Sequence, residues 1–218
     1  MKAVLFGTGG FAQYIAYVLT HDSTYNIEAF CVDEAYLDGK DSFDGKPLVS
    51  FNDLERTYPP GEYALFIAIG NPKVRAKRFC EAQRRGYTMP SYVSSRASTW
   101  NDLVVGSNVF VLEGCILQPY FTIGDNSILM GVKGGHHTRV GSHCLLSGSF
   151  LGGGAVISDY CFLGLNSVVK EDVTVGPHNI IGMGAEIHRD TDPDEVFTSE
   201  PTTRKRAVSA RRIRGRFL

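Results

Sequence analysis

The sequence predicts two folds in tandem, an α/β Rossmann-like domain at the N-terminus and then an all-β domain, a left-handed parallel β-helix. The first follows from residues 1–95, where short apolar strands alternate with amphipathic helices, as in an open parallel α/β sheet. The second follows from residues 105–192, where aliphatic residues recur every six positions. Because α-helices repeat at ~3.6 residues and simple strands at ~2, this period indicates a solenoid of short strands and turns.

The α/β pattern begins with an apolar strand that is broken by the glycine-rich turn Gly7–Gly10. A helix with apolar residues on one face follows, and the strand–turn–helix order then recurs, which favours parallel pairing with right-handed connections. The expected strands lie at 2–6, 27–32, 64–69 and 89–93, and the expected helices at 13–20 and 73–85.

The turns at the carboxyl ends of these strands carry the residues expected to bind a ligand, since open α/β sheets bind ligands there. Glycines in such a turn let a phosphate approach the N–H groups of the following helix. The candidates are Gly9, Gly10, Asp33, Glu34 and Gly70. The first turn reads Gly-x-Gly-Gly and lacks the full dinucleotide fingerprint, so a tight turn that only packs helix on strand is the alternative interpretation.

Each six-residue unit is predicted to be one short strand and its turn, with three units making one triangular coil and the aliphatic side chain pointing inward. A glycine follows the aliphatic residue in seven of the units. Residues 105–192 would make about five coils. The aliphatic positions are 105, 111, 117, 123, 129, 140, 146, 151, 157, 163, 169, 175, 181 and 187.

The repeat slips twice. Position 140 follows position 129 by eleven residues where two units would take twelve, and position 151 follows position 146 by five. Slips of this kind predict a bend, a bulge or an extruded loop, where functional groups often lie. The chain's only His-His pair, His136-His137, falls within the first slip. We therefore expect the functional site near this interruption.

Charge is distributed unevenly along the chain. The net charge is −1, yet residues 204–218 carry seven Arg or Lys and no acid, which leaves 15 basic against 23 acidic residues elsewhere. A basic tail on an acidic body suggests that the tail meets one anionic ligand. No recognisable nucleic-acid-binding module accompanies it, so we expect no nucleic-acid partner.

The cysteines and the apolar segments bear on the compartment. The five cysteines are scattered without a Cys-x-x-Cys pair, which indicates free thiols in a reducing environment. The N-terminal segment lacks the pattern of a signal peptide, and no apolar run approaches the ~20 residues that span a bilayer. We therefore expect a cytoplasmic protein without a membrane partner.

The chain resembles the bacterial sugar O- and N-acyltransferases of the sialic acid and bacillosamine pathways, in which a small Rossmann-like domain precedes a left-handed β-helix of hexapeptide repeats. The segments that carry the resemblance are KAVLFGTGGFAQ, FCVDE, AIGNPKVR, GGHHTRVG, FLGLNSVV and IIGMGAEI. It implies an acetyl-CoA-dependent N-acetyltransferase that acts directly, without a metal, on a nucleotide-linked amino sugar in lipopolysaccharide or capsule biosynthesis. Two alternatives stay open: O-acetylation of a sialic acid, and a non-catalytic trimer that binds a sugar nucleotide.

The resemblance also implies roles for particular residues. The family's general base is the histidine five residues before a repeat glycine, which here is His136 before Gly141. Better-studied members carry a glutamate directly after that histidine, whereas this chain has His137, a second catalytic candidate. A further family histidine aligns with Leu145, and His143 is the nearest substitute for it.

The ligand-binding positions implied by the resemblance fall into two groups. For acetyl-CoA they are His143, Gly153, Leu165, Met183, Gly184 and Arg204. For the nucleotide sugar they are Gly9, Gly10, Phe11, Asp33, Glu34 and Gly70, with Phe11 standing where the family often has a histidine. The alternative interpretation is that Leu165 and Met183 are ordinary repeat residues, that His136 is a polar residue at a solvent-facing corner, and that the tail is solvated.

The expected organisation is a nucleotide-sugar-binding domain at 1–95, an acyltransferase β-helix at 96–198 and a basic tail at 199–218. We expect a homotrimer, because three prisms packed side by side would cover flat strand faces and create clefts between the copies.

Overall fold

The computed structural model describes residues 1–200, and within them the two predicted folds follow one another. The expected contact of Arg204 with acetyl-CoA, and nearly all of the 199–218 tail, lie outside the described residues. Among residues 1–200, every helix is too short or too polar to cross a lipid bilayer.

The N-terminal domain is built on a five-stranded sheet in the order β3-β4-β2-β1-β5, parallel except for the β3–β4 pair. Both faces of the sheet are covered, because an apolar cluster of side chains is buried on each of them. The strands are β1 (Lys2–Phe6), β2 (Asn26–Val32), β3 (Ser42–Phe43), β4 (Lys46–Ser50) and β5 (Ala64–Ile67). The helices are α1 (Gly10–Asp22), α2 (Leu54–Thr57) and α3 (Pro72–Arg84).

The strand predicted at 89–93 belongs to the other domain. It shortens to β6 (Tyr92–Val93), which pairs in parallel with β8 of the β-helix instead of joining the α/β sheet. The β-helix therefore begins a few residues before the expected boundary at residue 95.

The β-helix is a three-sided prism whose faces we call A, B and C, in the order in which the chain visits them. Face A contains β7 (Val104–Val105), β10 (Thr122–Ile123), β13 (Arg139–Val140), β16 (Val156–Ile157) and β19 (Thr174–Val175). Face B contains β6, β8 (Phe110–Val111), β11 (Ile128–Met130), β14 (Leu145–Ser147), β17 (Phe162–Leu163), β20 (Ile180–Ile181) and β22 (Val196–Phe197). Face C contains β9 (Ile116–Leu117), β12 (Lys133–Gly134), β15 (Phe150–Leu151), β18 (Val168–Val169) and β21 (Glu186–Ile187).

The aliphatic positions point inward, as predicted. From β8 to β21, every strand except β12 buries the side chain of its second residue, and these side chains join one continuous core along the prism. The turns form three edges, named AB, BC and CA after the faces they join. Stacked residues with positive φ shape them, for example His143 and Tyr160 on the AB edge, at 62° and 60°.

The two slips of the repeat are shortened turns on the BC edge, at Gly131 and Gly148, both with positive φ (59° and 55°). Gly134 then takes an inward position, where a Cβ would overlap the Phe121 ring from the coil below. The expectation of an extruded loop or bend is therefore wrong, because the short turns stack and keep the coils in register. His136 lies in the next turn, which has the normal length.

The two domains meet on face B. Helix α1 and the α/β sheet pack against Phe110, Leu112 and Ile128 in one shared apolar cluster. At the edge of the α/β sheet, the side chain of Asn108 accepts a hydrogen bond from the Ile67 amide (2.9 Å), so the β-helix caps β5. The N-terminal domain is thereby fixed to one side of the prism.

Arg75, on α3, ties the domains together. Its side chain is fully buried, and burial lowers the pKa of its guanidinium to about 10, so it keeps its positive charge at neutral pH. Its guanidinium donates hydrogen bonds to main-chain carbonyls of both domains. The acceptors are those of Ile69 (2.9 Å), Gly70 (2.8 Å), Asn126 (3.0 Å), His143 (3.0 Å) and Cys144 (3.0 Å).

Candidate active site

His136 lies on the CA edge, in the turn between β12 and β13, with its side chain exposed. The coils on either side fix its main chain. The His136 amide donates to Oε1 of Gln118 on the coil below (3.0 Å), and its carbonyl accepts from the Gly154 amide on the coil above (2.8 Å). The turn is therefore rigid while the imidazole faces solvent.

Gly153 lets the His136 ring lie against the main chain of the coil above. A Cβ built on Gly153 would stand 2.8 Å from Cε1 and 3.1 Å from Nε2 of His136, closer than atoms pack. The structure thus brings together two of the residues singled out in the sequence, and the glycine is required by the position of the ring.

His137 contacts His136 directly. The two Nδ1 atoms lie 3.1 Å apart, and the rings are almost perpendicular, at 86°. His137 has a positive φ of 61°, and its ring lies over Tyr120 with 4.5 Å between the ring centres. The second histidine therefore occupies a defined place beside the first.

Within one copy of the chain, the other residues expected to bind acetyl-CoA lie away from His136 and Gly153. Leu165, Met183 and Gly184 are in turns of the BC edge, where the side chains of Leu165 and Met183 are exposed. Face C separates them from His136 and Gly153. A shallow hollow of about 630 Å³ covers face C between these edges.

His143 lies on the AB edge, at the domain junction, away from Gly153. Asn126 Nδ2 donates to its Nδ1 (2.8 Å), and the ring stacks on Tyr160 with 4.6 Å between centres. Burial, followed by the charge of Arg75, lowers the pKa of His143. These contacts give His143 a packing role, and one copy of the chain does not place it beside the other cofactor candidates.

A second pocket, of about 310 Å³, opens at the carboxyl ends of β1, β2 and β5. Four of the predicted residues line it: Gly9, Phe11, Asp33 and Gly70. The other two do not, since Gly10 begins α1 and Glu34 lies exposed in a short 3₁₀ turn. Tyr36 lines the pocket with its side chain 72% exposed, and nothing in the sequence pattern singled it out.

The start of α1 suits an anion. Gly9 precedes the helix and makes no side-chain cap, and the first turn carries no acidic residue. The first amides of a helix lack partners within the helix and carry partial positive charge. A phosphate group in the pocket would therefore find donors at this end.

Asp33 is held in place from α3. Nη2 of Arg78 donates to its Oδ2 (2.8 Å), and both side chains are largely buried, at 16% and 24% exposed. Arg78 also contacts Glu81, so one cation joins two carboxylates. The helix that the sequence predicts at 73–85 thus orients the acidic residue of the pocket, a role that spacing alone did not indicate.

Comparison with known proteins agrees with this architecture. Residues 2–82 match the family described as the PglD N-terminal domain. A mutant of perosamine N-acetyltransferase from Caulobacter crescentus, solved with CoA and GDP-perosamine, has a TM-score of 0.79 and 26% identity, covering 90% of this chain and 92% of that one. The acetyltransferase domain of PglB from Neisseria gonorrhoeae has a TM-score of 0.81 and 22% identity, covering 89% and 95%.

Curated relatives are shorter matches. A 2,3,4,5-tetrahydropyridine-2,6-dicarboxylate N-succinyltransferase from Xylella fastidiosa is 31% identical over 163 residues, which is 68% of this chain and 50% of that protein. An acyl-[acyl-carrier-protein]–UDP-N-acetylglucosamine O-acyltransferase from Nautilia profundicola is 26% identical over 125 residues, or 53% of this chain and 48% of that protein. The chain thus spans about half the length of the curated relatives it matches.

The fold and the edge carrying His136 define a two-domain protein of the left-handed β-helix, hexapeptide-repeat superfamily. Its residues 2–82 match the PglD N-terminal domain, and over 90% of its length the chain is similar to a perosamine N-acetyltransferase.

Proposed function

We propose that the protein is an acetyl-CoA-dependent N-acetyltransferase that acts on the amino group of a nucleotide-linked amino sugar in surface glycan biosynthesis. The observation that carries the proposal is the exposed His136 ring, held against Gly153 on a rigid turn. The likeness to a perosamine N-acetyltransferase solved with CoA and GDP-perosamine supports the substrate class.

In the proposed reaction, the sugar amine attacks the carbonyl carbon of the thioester. The C–N bond forms, the C–S bond breaks, and Nε2 of His136 accepts the proton that the amine loses. The same proton then passes to the leaving thiolate, so the enzyme returns to its starting state. This mechanism requires neither a covalent enzyme intermediate nor a metal.

The pocket of the N-terminal domain is proposed to hold the nucleotide. The uncapped start of α1 suits the pyrophosphate, the Asp33 carboxylate suits a ribose hydroxyl or a base N–H, and Tyr36 offers a ring to the base. Acetyl-CoA is proposed to lie along face C, where Gly153 lines the hollow and contacts the His136 ring.

The positions of these two sites support a homotrimer. Phe11 lines the nucleotide pocket and packs against Phe110 of face B, with 6.4 Å between the ring centres. His136 lies on the CA edge, the one edge of the prism that face B does not touch. A sugar bound in the pocket would therefore reach the His136 of another copy.

Face C offers the contact surface for such an assembly. Ile116, Phe150 and Val168 stand in one row along it with 46%, 41% and 40% of their surface exposed. Lys133 lies in the same row between Ile116 and Phe150, with its Nζ over the Phe150 ring (5.0 Å). Apolar side chains grouped in this way on a flat sheet mark an interface.

The test is a panel of nucleotide sugars in thermal denaturation and turnover assays. The probes are GDP-perosamine, UDP- and dTDP-linked 4-amino sugars, CMP-sialic acid and free sialic acid. We expect one amino sugar to stabilise the fold by ~2.7 kcal/mol at ~100 times its Kd, and to release free thiol from acetyl-CoA. Thiol release only with sialic acids would indicate O-acetylation, and binding without thiol release from any probe would indicate a non-catalytic protein.

Replacing Gly153 by Ala should impair the reaction without unfolding the protein. The added methyl would push the His136 ring off the main chain, and a displacement of ~1 Å can cost ~10²-fold in rate. We expect kcat to fall at least ~10-fold while the melting midpoint stays close to that of the wild type. An unchanged kcat would show that the ring position is not required.

A further inference from the structure

The contact between His136 and His137 constrains where their protons lie. A hydrogen bond between the two Nδ1 atoms, 3.1 Å apart, requires one nitrogen to carry the proton and the other to offer its lone pair. A neutral imidazole carries a single proton on one of its two nitrogens. Whether Nδ1 of His136 carries the proton therefore decides whether its Nε2 offers a substrate a lone pair or an N–H group.

We propose that His137 is a positioning residue that sets the tautomer of His136. The unprotonated Nδ1 of His137 accepts a hydrogen bond from Nδ1–H of His136, and this leaves Nε2 of His136 free to accept the proton of the amine. The inference rests on the proposed function, in which His136 is the base. A neutral imidazole thereby does the work that a carboxylate does in other bases of this type.

The backbone and a neighbouring ring hold His137 for this task. Its amide donates to the Pro119 carbonyl (3.0 Å), its φ of 61° turns the side chain back along the edge, and its ring rests on Tyr120. Successive residues on a strand would point to opposite faces, so the left-handed conformation of His137 is what brings the two rings together.

Charged groups surround the pair without contacting it. Asp102 lies two coils below, where it accepts from the Tyr120 amide (2.6 Å), and Lys170, Glu171 and Asp172 lie two coils above. Within residues 1–200, neither ring forms an ion pair with a carboxylate. His137 is therefore the acceptor available to Nδ1 of His136 in the described part of the chain.

This arrangement makes the base sensitive to a second proton. Once His137 is protonated on both nitrogens, its Nδ1 becomes a donor, and the proton of His136 must move to Nε2. His136 then has no lone pair where the amine would deliver its proton. Activity consequently requires both rings to be neutral, and the acid side of the profile of kcat/KM against pH should approach a slope of two.

Substitutions at His137 separate its effect on the His136 tautomer from its effect on the pH profile. The sugar substrate in these assays is GDP-perosamine or the nucleotide sugar that the panel identifies. Asn tolerates a positive φ and accepts from Nδ1–H, but it does not titrate. For His137→Asn we expect kcat within ~5-fold of the wild type and an acid slope of one. For His137→Gly, which fits the backbone but offers no acceptor, we expect kcat to fall ~10–100-fold with little change in KM for acetyl-CoA.

His178→Asn is the matched control, since His178 has a φ of 62° on the AB edge and should leave both kcat and slope unchanged. Nitrogen-15 spectra of the histidine rings give a readout that does not depend on turnover. We expect His136 to carry its proton on Nδ1 at neutral pH in the wild type and in His137→Asn.

A wild-type His136 protonated on Nε2 would overturn the inference, and so would a His137→Gly variant with unchanged kcat and pH slope. If His136→Ala is inactive while the His137 variants behave like the wild type, the proposed function stands and this inference fails. If no probe is acetylated, the proposed function fails, and the ring spectra still decide whether the hydrogen bond exists.

Discussion

Replacing His136 by Ala should lower kcat by ~10²–10⁴-fold, the range expected for loss of a general base. The amine would then have to release its proton to water while it attacks the thioester. Binding of acetyl-CoA should persist, because the hollow on face C and its main-chain groups do not depend on the imidazole. The fold should persist as well, since the side chain is exposed.

The measurement is the rate of thiol release at saturating acetyl-CoA, together with calorimetric titration of coenzyme A. His178→Ala is the control, because His178 is also an exposed turn histidine but lies on the AB edge. A His136→Ala variant with wild-type turnover would show that another group accepts the proton.

Replacing Arg75 by Met should be the most destabilising single change in the described part of the chain. The guanidinium donates to five main-chain carbonyls that are drawn from both domains. Each buried acceptor that loses its donor costs ~1–3 kcal/mol, so we expect a loss of at least ~3 kcal/mol in the free energy of unfolding. Met fills a similar volume, which limits the contribution from an empty cavity.

Urea denaturation measures the effect, and Arg75→Lys should fall between Met and the wild type, because Lys keeps the charge but has only three donors. Arg56→Met on α2 is the control, since the Arg56 side chain is 83% exposed and should change stability by less than ~0.5 kcal/mol. A melting curve for Arg75→Met that matches the wild type would show that the carbonyls find other donors.

The variant also bears on ligand binding. Two of the five carbonyls belong to Ile69 and Gly70, which line the nucleotide pocket. We therefore expect Arg75→Met to weaken stabilisation by the nucleotide sugar as well.

The repeat in the sequence was sufficient to predict the β-helix, because a period of six has no other simple physical source. The repeat did not predict the arrangement at Gly134. This inward position has no side chain, and the Phe121 ring from another coil occupies the space. A pattern read along the chain does not reveal a side chain supplied from thirteen residues away, and this led to the mistaken expectation of a loop. The short strands β3 and β4 were missed for a related reason, as two to five residues carry little periodicity.

The candidate site was predictable only in part. His136 and Gly153 were expected from motif position, and the structure brings their atoms together. The contact between His136 and His137 depends on the positive φ of His137, which no residue type ensures. Arg75 is one of several cations in the helix predicted at 73–85, and its burial depends on carbonyls contributed by distant segments.

The empty position at Gly134 has a consequence for how such a chain can vary. Phe121 and Gly134 share one block of interior volume, although they stand on different coils and thirteen positions apart. A larger residue at position 134 is compatible with the fold only if a smaller residue replaces Phe121 in the same protein. Residues 121 and 134 are therefore expected to change together, and a comparison of homologous sequences one position at a time would not reveal this dependence.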